Sequence, residues 1–172
     1  MKALLEEFLN RHPFERAIGL DISEEMIREA RKRLGNKAQW LMAQGEALPF
    51  ENGQFDIVSS AFVLRSISNL PGLFYEIQRV LKPKGRFVLL ELTRPKRTVL
   101  RLLYQIYLKA YLPLIGKIFS GSWHAYQFLA SSIQKFYEVD EYVSLLKEAG
   151  LSPLLVRPMT FGVCTLVIAE KR

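Results

Sequence analysis

Three short stretches place polar side chains at the ends of apolar runs, where ligand chemistry happens in an open α/β sheet. In Gly19-Leu20-Asp21-Ile22-Ser23 a carboxylate stands at the tip of an apolar strand pattern, just ahead of a helix start. Such a carboxylate pairs with ribose hydroxyls; the alternative reading is that Asp21 helps cap the helix beginning at residue 24. Gln44-Gly45-Glu46 forms a polar turn suited to the edge of an adenine ring, and Leu48 and Phe50 supply an apolar wall beside it. Phe62-Val63-Leu64-Arg65-Ser66 follows a third apolar run and brings a guanidinium to the same end of the sheet. Further along, His124 and Tyr126 are acid–base or substrate-orienting groups, although a histidine at a helix start also reads as purely structural.

The elements that must position these groups follow from periodicity and punctuation. Ser23 caps a helix over 24–34, Glu24 and Glu25 sit in its first turn where the dipole favours them, and Gly35-Asn36 stops it. The pattern predicts strands over 16–20, 38–43, 55–61 and 86–92, helices over 71–81 and 139–149, and a closing strand pair over 153–157 and 163–169. Strands alternating with helices imply βαβ units and a mostly parallel sheet, with an antiparallel pair at the C-terminal edge. Residues 97–111 read as a helix whose polar row is Arg97, Arg101, Gln105 and Lys109, the rest being nearly all apolar; residues 123–134 read as another. The first of these is a cover helix on the sheet or a lid at a lipid interface.

The chain has 172 residues and 49% apolar content, which fits a single globular domain over 1–172 with a helical insertion over 94–135. No apolar run is long enough to span a bilayer, so a cytoplasmic location is expected, with peripheral contact at the inner face of the membrane through 94–119. The one cysteine, Cys164, excludes an internal disulfide and a cysteine-based zinc site. No metal is expected. The net charge of +7 is concentrated: between Glu91 and Glu138 there is no acidic residue, while Arg94, Lys96, Arg97, Arg101, Lys109, Lys117 and Lys135 fall there. Their apolar neighbours favour a lipid-like partner over nucleic acid. A homodimer is left open.

Taken together these stretches resemble the class I S-adenosylmethionine-dependent methyltransferases, and within them the ubiquinone/menaquinone biosynthesis C-methyltransferase family. The resemblance rests on Gly45-Glu46-Ala47-Leu48-Pro49-Phe50, Phe62-Val63-Leu64-Arg65, Leu90-Glu91-Leu92-Thr93-Arg94-Pro95, Tyr126-Gln127-Phe128-Leu129-Ala130-Ser131-Ser132-Ile133 and Thr160-Phe161-Gly162-Val163. It implies a Rossmann-like, seven-stranded α/β fold and methyl transfer from S-adenosylmethionine to a ring carbon of a prenylated quinol precursor. It also implies that Asp21, with Ile22 beside it, holds the ribose, and that Gln44 and Gly45 flank the adenine, with Glu46 beside them. Ala61 falls where the family often has a cofactor-contacting serine. Arg65 matches the arginine of an Arg-Asn pair near the reacting centre, with Ser66 as the second member here; it can stabilise a phenolate or hold a water that removes the proton. Lys84 replaces a glycine in the turn before residue 86. Alternatives are a catalytically silent methyltransferase-like binding or scaffold module, and a methyltransferase for another small lipid-like ring.

Measured against that family, the stretch before residue 16 lacks a first strand and glycine-rich loop, and shows a short helical pattern over Lys2–Asn10 instead. The missing strand would lie between the strands at 16–20 and 55–61, leaving backbone groups that cost roughly 1–3 kcal/mol each if buried unpaired. Three outcomes are expected: the two neighbours close up and pair; a partner chain or residues 1–10 fill the gap; or the natural product begins further upstream.

Overall fold

The computed structural model describes Glu6, Arg11, residues 14–94 and residues 137–172. In chain order the elements are β1 (Ile18–Asp21), α1 (Glu24–Leu34), β2 (Gln39–Met42), β3 (Phe55–Ala61), α2 (Leu70–Val80), β4 (Leu81–Leu92), α3 (Val139–Glu148), β5 (Leu151–Met159) and β6 (Cys164–Lys171). The helices predicted over 97–111 and 123–134, the insertion over 94–135, and His124 and Tyr126 lie outside the described residues, apart from Arg94.

Local chemistry accounts for the helix ends. Ser23 is extended and its hydroxyl accepts from the Met26 amide, while Gly35, at φ +55°, donates to the Arg31 carbonyl. Ile27, Ala30 and Leu34 form the buried stripe of α1. Helix α2 is capped by Asn69, whose side chain accepts from the Gly72 amide at 3.0 Å. In α3 the side chains of Glu138 and Glu141 exchange bonds with one another's backbone amides.

β1 pairs with β2 and β3 with β4, both in parallel; β6 runs antiparallel between β4 and β5. This is the predicted parallel sheet with an antiparallel C-terminal pair. The last predicted strand of the parallel set begins earlier than expected, at Leu81 instead of Arg86, with an irregularity where Phe55 and Ile57 take partners on either side of the Lys84 turn. Lys84 adopts φ +63°, a conformation that favours glycine. Alternation along β4 sends Phe87, Leu89, Glu91 and the following Thr93 to one face, where α2 and α3 cover the apolar members. Phe74, Tyr142, Leu146, Leu151 and Val167 complete that core.

Among the described residues the sheet is divided. Strands β1 and β2 form a two-stranded piece, and β3-β4-β6-β5 a four-stranded one. The expectation that the neighbours of the missing strand close up is therefore corrected: β1 and β3 do not pair. Local hydrogen bonding already holds each strand to its other neighbour, and α1 and α2 pack beneath different pieces. Nor do the described residues of the 1–10 segment fill the gap, since Glu6 is helical and ion-pairs with Arg33 on α1 at 3.0 Å.

Candidate cofactor site

A cavity of about 620 Å³ opens at the carboxyl ends of β1, β2 and β3 and continues between β1 and β3. Asp21, Ile22, Gln44, Gly45, Glu46 and Ala61 all line it. Residues spread over forty positions of sequence thus converge because parallel strands deliver their carboxyl ends to one rim.

At the tip of β1, Asp21 is half-buried and its Oδ1 accepts from the Ser23 amide at 2.9 Å. Capping and ligand roles are compatible here: one oxygen fixes the turn into α1, and Oδ2 accepts no hydrogen bond among the described residues. Ile22 is exposed and presents an apolar surface beside the carboxylate. After β2, a Cβ on Gly45 would meet the Leu73 Cδ1 at 2.8 Å, so any larger residue in this turn would have to displace that side chain of α2. Glu46 Oε1 accepts from the Ser68 amide at 3.3 Å, joining the turn after β2 to the segment after β3. Ala61 is buried and offers no polar atom to the cavity.

Two anchors of this rim were not assigned by sequence reasoning. Arg79, on α2, grips Glu76 with Nε to Oε1 at 2.7 Å and Nη2 to Oε2 at 2.8 Å. The same guanidinium donates to the carbonyls of Phe50 (2.7 Å) and Leu48 (3.0 Å), and Glu76 accepts from the Leu48 amide at 2.8 Å. The loop that follows Glu46 is thereby tied to α2. Hydrogen bonding to Arg79 holds the Glu76 carboxyl below the usual carboxylate range, against the opposing effect of burial. The available signal was the i, i+3 spacing of Glu76 and Arg79; the carbonyls they engage lie nearly thirty residues away.

The second anchor is Glu91, 1% exposed, in the buried row of β4. Its Oε2 accepts from the Leu64 amide at 2.9 Å and its Oε1 from the Leu92 amide at 3.1 Å. Burial pushes this carboxyl up from its ordinary value, while those amides, the Val63 amide and the Arg65 charge pull it down. Beside it, the Thr93 and Thr165 hydroxyls bond at 2.8 Å, and Thr93 also donates to the Gly162 carbonyl. The carboxylate of Glu91 fixes the turn that starts at Phe62, itself in the left-handed region at φ +56°.

Arg65 rides on that turn, in the one-turn segment Leu64–Ser66, but it is exposed and does not line the cavity, whereas Val63 and Ser66 on either side do. The structure thus brings the six cofactor candidates together and sets Arg65 outside their wall. Among the described residues there is no cluster of three or more groups able to hold a metal ion, and no helix long and apolar enough to cross a membrane. Cys164 is half-buried at the start of β6, and burial raises its thiol pKa.

An open α/β sheet with a cavity at its strand tips is the Rossmann-like architecture that class I methyltransferases share. The fold overlays a SAM-dependent methyltransferase from Aquifex aeolicus (TM-score 0.69, 16% identity, 99% of this chain and 78% of that one). It likewise overlays one from Methanosarcina mazei (TM-score 0.67, 18% identity, 98% and 86%). Residues 4–171 match the ubiE/COQ5 methyltransferase family, and the chain belongs to it. Similar relatives include the ubiquinone/menaquinone biosynthesis C-methyltransferase UbiE of Dinoroseobacter shibae (32% identical, 92% of this chain, 66% of the relative). Another is the mitochondrial 2-methoxy-6-polyprenyl-1,4-benzoquinol methylase of Bos taurus (31%, 85% and 46%). A third is the demethylmenaquinone methyltransferase of Thermotoga maritima (36%, 88% and 66%). The chain thus spans about half to two thirds of the length of these relatives.

Proposed function

We propose that this chain is the cofactor- and acceptor-handling part of an S-adenosylmethionine-dependent C-methyltransferase whose acceptor is a prenylated quinol precursor. The observation that carries the reading is the convergence of Asp21, Ile22, Gln44, Gly45, Glu46 and Ala61 on one cavity in a chain of this family. The donor set fits the group: a carboxylate oxygen left over for a ribose diol, a polar turn for an adenine edge, and a largely apolar wall that a sulfonium losing its charge tolerates. S-adenosylmethionine supplies an electrophilic methyl group when bound.

The chain's own residues have distinct parts in this reading. Asp21 accepts from the ribose hydroxyls through the oxygen not used by Ser23. Gln44 and Glu46 bracket the adenine, and Ile22 covers its apolar face. Arg65, at the rim and outside the cavity wall, stabilises the phenolate that forms when the acceptor ring loses its proton, the charge that makes the neighbouring ring carbon nucleophilic. His124 and Tyr126 orient that ring, and the basic, apolar stretch within 94–135 acts as the lid and membrane-side entrance for a lipid-like substrate. The lack of a polar atom at Ala61 and the position of Arg65 outside the cavity wall favour a second reading, in which this chain binds ligands without catalysis.

Calorimetric titration with S-adenosylhomocysteine tests the cofactor assignment. Binding by the wild-type chain, weakened about tenfold or more by Asp21→Ala, is expected. Unchanged affinity in a folded Asp21→Ala chain refutes the ribose role. With a quinol acceptor, Arg65→Ala should lower turnover more than cofactor affinity; equal losses assign Arg65 a structural part, and cofactor binding without turnover in the wild type supports the non-catalytic reading.

A further inference from the structure

Four non-glycine residues have positive φ among the described residues, and three of them stand at one end of the sheet. Phe62 (φ +56°) follows β3, while Thr160 (φ +48°) and Phe161 (φ +57°) join β5 to β6. Because β4 and β6 are antiparallel, with Leu92 opposite Cys164, the 160–162 turn lies at the carboxyl end of β4. Phe62 lies at that same end, its amide donating to the Leu90 carbonyl at 3.0 Å. The left-handed region strains any side chain, and a β-branched threonine most. Neither phenylalanine offsets that strain by burial in the core: Phe62 is 41% and Phe161 84% exposed. Instead, one buried polar row holds both turns from beneath. Glu91 accepts from the Leu64 amide; Thr93 donates its hydroxyl to the Gly162 carbonyl at 3.0 Å and its amide to the Val163 carbonyl at 2.9 Å. Glu91, Thr93 and Thr165 are all buried. Backbone strain that is enforced from within, and that presents an aromatic ring outward at the rim of a cavity, marks a binding surface.

We propose that Phe62 and Phe161 determine which acceptor the site takes: Phe62 lies against the acceptor's ring, and Phe161 takes the first isoprene units of its tail. This assignment rests on the reading of a prenylated quinol acceptor. Phe62 lines the cavity next to Ala61 and opens the turn that carries Arg65, so it joins the cofactor candidates to the group assigned to the phenolate. Phe161 is not part of the cavity wall. It stands across β4 from Phe62, two strand spacings or about 10 Å away. A ligand that covers both side chains must therefore be longer than one ring and apolar along its length, which describes a quinol with an isoprenoid tail. The ground around Phe161 matches such a tail: Pro158-Met159-Thr160-Phe161-Gly162-Val163-Cys164 carries no charge, and Met159 is exposed beside it. Covering an exposed phenylalanine ring with an apolar chain is favourable in proportion to the area removed from water.

The test uses the full 172-residue chain and two probes, a 1,4-benzoquinone carrying two isoprene units and the same quinone without a tail, titrated by quenching of tryptophan fluorescence. Phe161→Gly should lower affinity for the tailed probe about tenfold and change that for the tail-less probe by less than about twofold. Phe62→Gly should lower affinity for both probes about equally; if that variant does not fold, Phe62→Asn, which tolerates the left-handed region, is read in its place. Phe161→Gly relieves strain at a largely exposed position, so its urea midpoint should equal or exceed that of wild type. Equal losses for the two probes in Phe161→Gly, or no loss, overturn the assignment. A lowered urea midpoint overturns it too, since Phe161 would then have a structural part. So does weakened binding to quinone-free phosphatidylcholine vesicles with affinity for the tailed probe intact, which would make Phe161 a membrane contact. A wild-type chain that binds S-adenosylhomocysteine but shows no preference for the tailed probe refutes this assignment and leaves the cofactor reading standing; one that binds neither quinone nor S-adenosylhomocysteine refutes both.

Discussion

Replacing Arg79 by methionine keeps the apolar stem and removes every donor, so it isolates what the guanidinium does. Five hydrogen bonds are lost: two to Glu76 and one each to Phe50, Asn52 and Leu48. In a sealed interior, removing one member of an ion pair costs roughly 3–5 kcal/mol, and at a fully wet surface about 0–1 kcal/mol. The side chains of Arg79 and Glu76 are 31% and 21% exposed, which places the pair between those limits. Water can reach the orphaned carbonyls once the loop loosens, so the expected loss is about 2 kcal/mol. With an m-value of about 1–3 kcal/mol/M this lowers the urea midpoint by roughly 1 M. Trp40 on β2 provides the fluorescence signal. A double-mutant cycle with Glu76→Gln should return a coupling of about 1–2 kcal/mol at neutral pH. Glu76 titrates below its ordinary 4.5 in the folded state, so its contribution is present above that value and is lost as pH falls through the depressed folded one. The same variant should weaken S-adenosylhomocysteine binding about tenfold, because the loop after Glu46 loses its tie to α2. A destabilisation under about 0.5 kcal/mol with unchanged binding would refute the reasoning.

Other perturbations probe different parts. Lys84→Gly should stabilise the chain by about 0.5–1 kcal/mol in the same urea assay, since the φ of +63° strains a side chain there and the gain is partly offset by glycine's freedom when unfolded. Phe74→Ala, which empties a fully buried site packed on Phe87 at a 6.1 Å ring separation, should cost about 3–5 kcal/mol. Glu91 has a raised folded pKa, so its favourable contribution is present below 4.5 and is lost as pH rises through the folded value. The stability of wild type relative to Glu91→Gln should therefore decline as pH climbs from 4.5; a pH-independent difference would show that the carboxyl titrates alike in the folded and unfolded chain.

Sequence alone determined what depends on near neighbours. The Ser23 cap, the acidic start and Gly35 stop of α1, the 55–61 strand and the 139–149 helix follow from residues a turn or less apart, and the structure reproduces them within a residue or two. The six cavity residues were legible for a related reason: each stands at the end of an apolar run, and parallel strands put such ends on one rim. Tertiary structure decided what depends on distant partners. Glu91 was noticed only as part of a motif, and its task became visible once β4 set it beside the Leu64 amide. Arg79 gained its role from carbonyls at positions 48 and 50, and Arg65 was placed outside the cavity by the turn that Glu91 holds. The divided sheet is the clearest case. A strand's residues fix that it is a strand, but which edge it pairs is settled by hydrogen bonds between segments far apart in the chain, and no local pattern encodes them.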